Sequence, residues 1–295
     1  MDNAKSLEIF KYLHRAGKTC TTQAMDNACL KGDLDFVKFI HYNRTEGCSE
    51  SAIINACTTG NFDLIKFLIS IRKEVCSSAA VDDAIQSNCR LEIIKFLDKG
   101  CTISGLNYAM QNNRLDIIQY LHQRFPKSPR IWTPVTLNVA TMTGHLDIVK
   151  YIHENRTEES TTNAMNYAAK YDHLDVLKFL HFNRTEGCTT NAMDFSTDLE
   201  VIKFLHFNRT EGATTKCMDN AARRGDIETV EWLHKNRSEG CTDQALWESN
   251  NNPDIYNYIL SSKIIPVRSI KNCQKKKKKD YYEIYHLINK YYNGI

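Results

Sequence analysis

No run of eighteen apolar residues occurs in this 295-residue chain, and a membrane-spanning helix needs roughly that many. The opening MDNAKSLEIF lacks a basic segment leading into an apolar core, so no secretory leader is expected. A phosphate-cradling glycine-rich loop, a G-x-S-x-G turn, an H-E-x-x-H helix and the kinase signatures are all missing. Catalysis therefore has no candidate residue, and no enzyme, cofactor or small-molecule substrate is expected. A charge excess is also lacking over most of the chain. The formal charge is +3, residues 261–295 hold nine Lys/Arg against Asp280 and Glu283, and +3 minus +7 leaves residues 1–260 at about −4. Such a body is no trap for nucleic acid. The expectation is a cytoplasmic, or alternatively nuclear, protein with neither a nucleic-acid nor a membrane partner.

What the chain has in abundance is one eight-residue stretch. LDVLKFLH, from Leu174 to His181, is echoed from Leu7, Leu34, Phe62, Leu91, Leu115, Leu146, Leu199 and Ile227, with a worn copy from Pro253. The intervals between neighbours are 27, 28, 29, 24, 31, 28, 25, 28 and 26 residues, the spacing of stacked structural repeats. Leu174, Val176, Leu177, Phe179 and Leu180 cover nearly the whole circumference of a helix, which must therefore lie between neighbours. Asp175 and Lys178 form its polar stripe, and the acid/Lys spacing recurs at Glu8/Lys11, Asp63/Lys66 and Glu200/Lys203 among others. Such pairs read as a solvated face.

Before each copy lies a second pattern rich in Ala and Met, as in AMDNAC (Ala24–Cys29), AMNYAA (Ala164–Ala169) and CMDNAA (Cys217–Ala222). Thr or Ser usually precedes it, which is N-cap chemistry. Each unit is thus a helix pair. The turn between its helices falls on Gly32, Gly60, Gly144, Gly225, Asn113 or Asp172, residue types that tolerate a left-handed backbone.

A-M-D-x-A-A followed by G-H-L-D-x-V-K-F-L resembles the T-P-L-H-x-A-A and G-H-L-E-V-V-K-L-L of ankyrin repeats. The clearest copies are Gly144–Lys150 and Ala164–Leu180, and the likeness covers residues 1 to about 260. The repeats are shorter than the usual ankyrin unit. The β-hairpin finger between units is expected to shrink to a tight loop such as NRTEGC (Asn183–Cys188). A leucine-rich repeat shares the period but fails at Asn183, one place late, and lacks β-branched alternation. The expected fold is all-α, an ankyrin-like helical-repeat solenoid of about nine to ten helix pairs over 1–260, then a basic linker and an amphipathic C-terminal helix over 261–295. In that last segment Lys275–Lys279 form an unbroken run.

The resemblance implies a protein partner and a monomeric scaffold or adaptor that binds on a concave face built from first helices. On that analogy the contact positions are Lys31, Thr59, Ser87, Asn112, Thr143, Tyr171 and Arg224, just past each Ala pair. Tyr108, Tyr167 and Phe195 join them because their counterparts are the polar Asn27, Asn55, Asp83 and Asn220. Trp132, in the proline-interrupted loop FPKSPRIWTP, is either a contact or a plug between units. A second reading gives the basic tail the lead, as a nuclear or membrane-surface regulator.

Two apparent constellations read as packing. Seven histidines (His14, His41, His122, His153, His181, His206 and His234) close the repeated stretch. Neighbouring helices about 8–10 Å apart cannot bring them to the roughly 2.0–2.1 Å that zinc requires, so no metal is expected. Cys20, Cys48, Cys76, Cys101, Cys188 and Cys241 likewise hold one repeat position and form no CxxC pair, so they are expected as reduced thiols. The N-x-T/S triplets at Asn43, Asn155, Asn183, Asn208 and Asn236 are copies of one loop.

Overall fold

The computed structural model describes residues 1–156, 160–249, 252–265, 288, 290 and 291. The Lys275–Lys279 run and the expected terminal helix around Tyr281 lie outside the described residues. Every regular element among the described residues is helical. A lone helix α1 (Leu7–Arg15) precedes nine helix pairs. The chain divides into two compact units, Met1–Thr136 and Leu137–Ile295.

In the first unit the pairs are α2 (Gln23–Leu30) with α3 (Leu34–Asn43), α4 (Ser51–Thr59) with α5 (Phe62–Lys66), α6 (Ser78–Gln86) with α7 (Leu91–Leu97), and α8 (Ile103–Gln111) with α9 (Leu115–Arg124). Helix α5 runs on into a π turn over Phe67–Ile71. The second unit opens within α10 (Thr136–Thr143), paired with α11 (Leu146–Asn155). It continues with α12 (Asn163–Lys170) and α13 (Leu174–Asn183), α14 (Asn191–Phe195) and α15 (Leu199–Asn208), α16 (Thr215–Arg224) and α17 (Ile227–Asn236), and α18 (Gln244–Glu248) and α19 (Pro253–Ser261).

Within each unit the first helices stack directly on one another, α2 on α4 on α6 on α8 and α12 on α14 on α16 on α18. Alanine makes this possible, since Ala24, Ala28, Ala52, Ala56, Ala168 and Ala221 are buried and keep adjacent backbones close. The second helices supply bulk. Val176, Leu177 and Leu180 of α13 are fully buried, while Leu174 and Phe179 are half-buried at the flanks. Burying one such side chain contributes about 1.5–3 kcal/mol, and only neighbouring repeats can supply the cover.

The turns between paired helices are left-handed as expected, at Gly32, Gly60, Gly144, Gly225, Asn113 and Asp172. At Gly144, φ is +75°, and a Cβ there would collide with the His173 ring, whose Nε2 lies 3.1 Å from the Met142 carbonyl oxygen. Of the surface acid/Lys pairs, Glu8–Lys11 and Glu200–Lys203 close at 2.8 Å and Asp63–Lys66 reaches 3.9 Å.

Candidate protein-interaction face

Three ladders of polar contacts fix how the repeats register, and they decide which side chains remain free. The first runs through the third position of the Ala/Met pattern. Asp26 accepts from Ser49 N at 3.0 Å and Ser49 Oγ at 2.7 Å, Asp82 from Thr102 N at 2.8 Å and Oγ1 at 2.6 Å, and Asp194 from Thr214 N at 2.7 Å and Oγ1 at 2.8 Å. Asn166 does the same for Thr189, accepting from its N at 2.9 Å and donating to its Oγ1 at 3.0 Å. At the N-terminus Asp2 holds Thr21 in this way, at 2.8 and 2.9 Å. The hydroxyl doing the capping is thus often the first of the Thr pair. Thr214 Oγ1, for example, accepts from Lys216 N at 3.2 Å while donating to Asp194.

The second ladder uses the next residue. Asn27, Asn55 and Asn220 each donate from Nδ2 to a main-chain carbonyl of the preceding repeat, Asp2, Asp26 and Asp194, at 2.9, 2.9 and 2.8 Å. Tyr108, Tyr167 and Phe195 stand at that position without an amide to give.

The third ladder is the loop after each second helix. Arg44–Glu46, Arg72–Glu74, Arg184–Glu186, Arg209–Glu211 and Arg237–Glu239 are ion pairs two residues apart. The same arginines reach back one repeat to His Nδ1, with Arg72 to His41 at 2.7 Å and Arg237 to His206 at 3.0 Å. The histidines also meet the next second helix edge-on, as His181 does Phe204 at 5.5 Å between ring centres. His181 Nδ1 is buried with no hydrogen-bond partner among the described residues. The Arg44 hydrogen bond holds the Glu46 carboxyl at about 2. At Glu211 burial opposes ionisation, but the Arg209 hydrogen bond and the Cys188 amide outweigh it and hold that carboxyl at about 2 as well.

No group of metal-ligating side chains forms among the described residues. Their ten cysteines are free thiols, and burial pushes Cys188 and Cys241 up to about 12. Nothing in these surroundings activates a nucleophile.

The sequence-derived contact residues meet different fates. In the first unit Lys31 donates from Nζ to the Ala4 and Lys5 carbonyls at 2.9 and 3.1 Å, and Asn112 from Nδ2 to the Ile85 carbonyl at 3.0 Å. Both brace the preceding repeat. Thr59, and Thr143 of the second unit, turn their hydroxyls onto their own helices, at the Ala56 and Ala140 carbonyls. Ser87 is exposed at the end of α6, and Tyr108 is half-buried. Trp132 is 5 % exposed, donates from Nε1 to the Phe125 carbonyl at 2.9 Å and packs edge-on to His122. It fills the interior under the proline-rich loop. In the second unit Tyr167 is half-buried, Tyr171 is 42 % and Phe195 40 % exposed, and Arg224 stands in solvent. The Asp/Asn clasps and the Arg–Glu pairs were missed from sequence, although their signals were present as the repeated M-D/N and R-T-E-G.

The fold and these ladders define a helical-repeat protein in which, within each unit, repeats are clasped to their neighbours by side-chain hydrogen bonds. The family model for ankyrin repeats in three copies matches residues 106–194, and that for ankyrin repeats in many copies matches residues 25–69. Over those residues the chain carries ankyrin repeats, which generally serve as protein–protein interaction modules and are typically non-enzymatic. No curated protein matches it. No helix among the described residues is long and apolar enough to cross a membrane.

Proposed function

We propose that the chain is a non-enzymatic scaffold or adaptor, and that it holds a protein partner on the face that the first helices and the turns after them make in each unit. The observation that carries this reading is the exchange of asparagine for an aromatic at Tyr108, Tyr167 and Phe195. Asn27, Asn55 and Asn220 use that position to tie one repeat to the previous one. Each aromatic gives up a bond worth about 0.5–1.5 kcal/mol and, at Phe195, leaves a ring two-fifths exposed. Aromatic side chains carry a disproportionate share of binding energy at protein interfaces, whereas an exposed ring does little for the stack.

The test is capture of partners from cell lysate by the full chain carrying Tyr108→Ala, Tyr167→Ala and Tyr171→Ala together. Capture should weaken while far-UV helicity persists. Unchanged capture would discard these aromatics as the contact surface.

A further inference from the structure

Helix α1 is a second helix without a first. Residues 1–4 repeat the MDNA of residues 25–28 and do the same work toward the next repeat. Asp2 clasps Thr21, and the Asp2 carbonyl accepts from Asn27 Nδ2 at 2.9 Å. No regular helix forms before Leu7, however, so α1 lacks the companion that every later second helix has. The consequence is read at Ile9. The third residue of the repeated stretch is buried in every later copy, Phe36, Leu64, Ile117, Ile148, Val176 and Val201 among them, whereas Ile9 is 47 % exposed and Tyr12 71 %. A terminal repeat ordinarily closes the stack with a polar outer face. Here that face is apolar at its centre.

The outer side of α1 carries a defined stripe. Lys5, Glu8, Ile9, Tyr12, Arg15 and Ala16 are exposed, while Phe10 is buried and Leu7, Lys11, Leu13 and His14 are half-buried. Ile9, Tyr12 and Ala16 follow at steps of three and four residues and therefore share one face. Glu8 and Arg15 are seven residues, or about two helical turns, apart and so stand on one flank of it. Glu8 accepts from Lys11 at 2.8 Å, and Arg15 makes no hydrogen bond or ion pair among the described residues. Such a stripe is complementary to itself, as a two-fold contact requires. A second α1 turned end for end sets its Arg15 against this Glu8 and its Glu8 against this Arg15, with each Ile9 between the Tyr12 and Ala16 of the mate. Lys5 and Lys18 precede and follow the helix and are exposed, so their like charges meet only at the rim, where salt screens them.

We infer that the outer face of α1 is an interface between two copies of this chain, which pair antiparallel through that helix about a two-fold axis. The contact uses the end of the stack and is independent of the partner reading above. Two helices of nine residues each bury less than the roughly 1,200 Å² of a standard interface. The pair is therefore weak, and the monomer that the family resemblance implies is its dilute form.

The test is sedimentation equilibrium of the full chain from ~10 µM to ~1 mM, over which the apparent mass should rise from one copy toward two. Glu8→Arg alone and Arg15→Glu alone set like charges against each other. Each should weaken the pair about tenfold, with circular dichroism unchanged. Mixing the two variants should restore association, because each then meets the opposite charge, and so should one chain carrying both substitutions. Ile9→Ser, which removes the apolar centre, should weaken it at least as much as either charge change. A mass of one copy throughout the range, association undiminished in all three single variants, or a mixture no stronger than its components would overturn the proposal.

Discussion

Asp219 holds Thr242 with both carboxylate oxygens, accepting from its backbone N and its Oγ1 at 2.8 Å each. Burial nevertheless raises the Asp219 carboxyl above its ordinary value, against the lowering effect of those two bonds. A carboxyl raised on folding contributes most below its unfolded pKa, and that contribution is lost as pH rises through the folded value. At neutral pH the charge is thus a burden, and Asn166 shows that an amide can make the same clasp. Asp219→Asn should melt at or above the wild type at pH 7. Asp219→Ala leaves the Thr242 amide unpaired and should cost about 1–3 kcal/mol. Thermal melts of both variants at pH 7 decide, and an Asn variant no better than Ala would contradict this account.

Ile54 stands where Asp26 and Asp82 carry the clasp. Ser77, in the register of Ser49, caps its own helix at Ala80 N, 3.3 Å away. Ile54→Asn should restore the missing rung and raise stability by about 0.5–1.5 kcal/mol, read from the midpoint of urea unfolding. A lowered midpoint would show that Ser77 cannot be reached.

The loop ion pairs set an acid-sensitive window. Glu46 and Glu211 titrate near 2 in the folded chain against an ordinary 4.5. A depressed carboxyl stabilises fully above its unfolded value and loses that contribution as pH falls. Stability should therefore drop between about pH 4.5 and 2. His41 is held below its ordinary value by burial and by Arg72, so its share also falls on acidification, beginning below about 6.5. Urea midpoints measured from pH 7 to 3 should decline, and Glu46→Gln with Glu211→Gln should flatten the lower limb. A wild-type slope left unchanged by the pair would rule the loops out as its source.

Leu180 is fully buried in α13. Leu180→Ala should cost about 2–5 kcal/mol, and Leu180→Asp more, because an unpaired charge would sit between stacked repeats. Limited proteolysis should then cut first within the second unit. Cleavage with the same pattern and rate as the wild type would contradict the packing described.

Gly187 has φ +72°, and a Cβ there would come within 2.5 Å of Arg209 Nη2 and 2.9 Å of Glu211 Oε1. Gly187→Ala should therefore both strain the backbone, by about 1–2 kcal/mol, and press on the next loop's ion pair. A melting temperature equal to that of the wild type would show that the loop simply yields.

The helices of this fold were legible because their signal is local. LDVLKFLH repeats the apolar spacing of a helix buried on two sides, and Gly, Asn and Asp mark the turns by what their backbones tolerate. The candidate face was legible only in part. Tyr171, Phe195 and Arg224 stand exposed, but Lys31 and Asn112 are spent on the preceding repeat and Trp132 is buried. Nothing local marks Lys31 and Asn112, because their partners lie about one repeat away in sequence, whereas Trp132 is held by Phe125 and His122, 7 and 10 residues before it.

The order of the elements, the likeness to ankyrin repeats and the reuse of one helical module were thus determined by the sequence alone, since periodicity is a property of neighbouring residues. The tertiary structure decided which polar side chains are consumed in joining repeats and which remain available. A clasp such as Asp194 to Thr214 exists only once the repeats are stacked and their hydrogen bonds are counted.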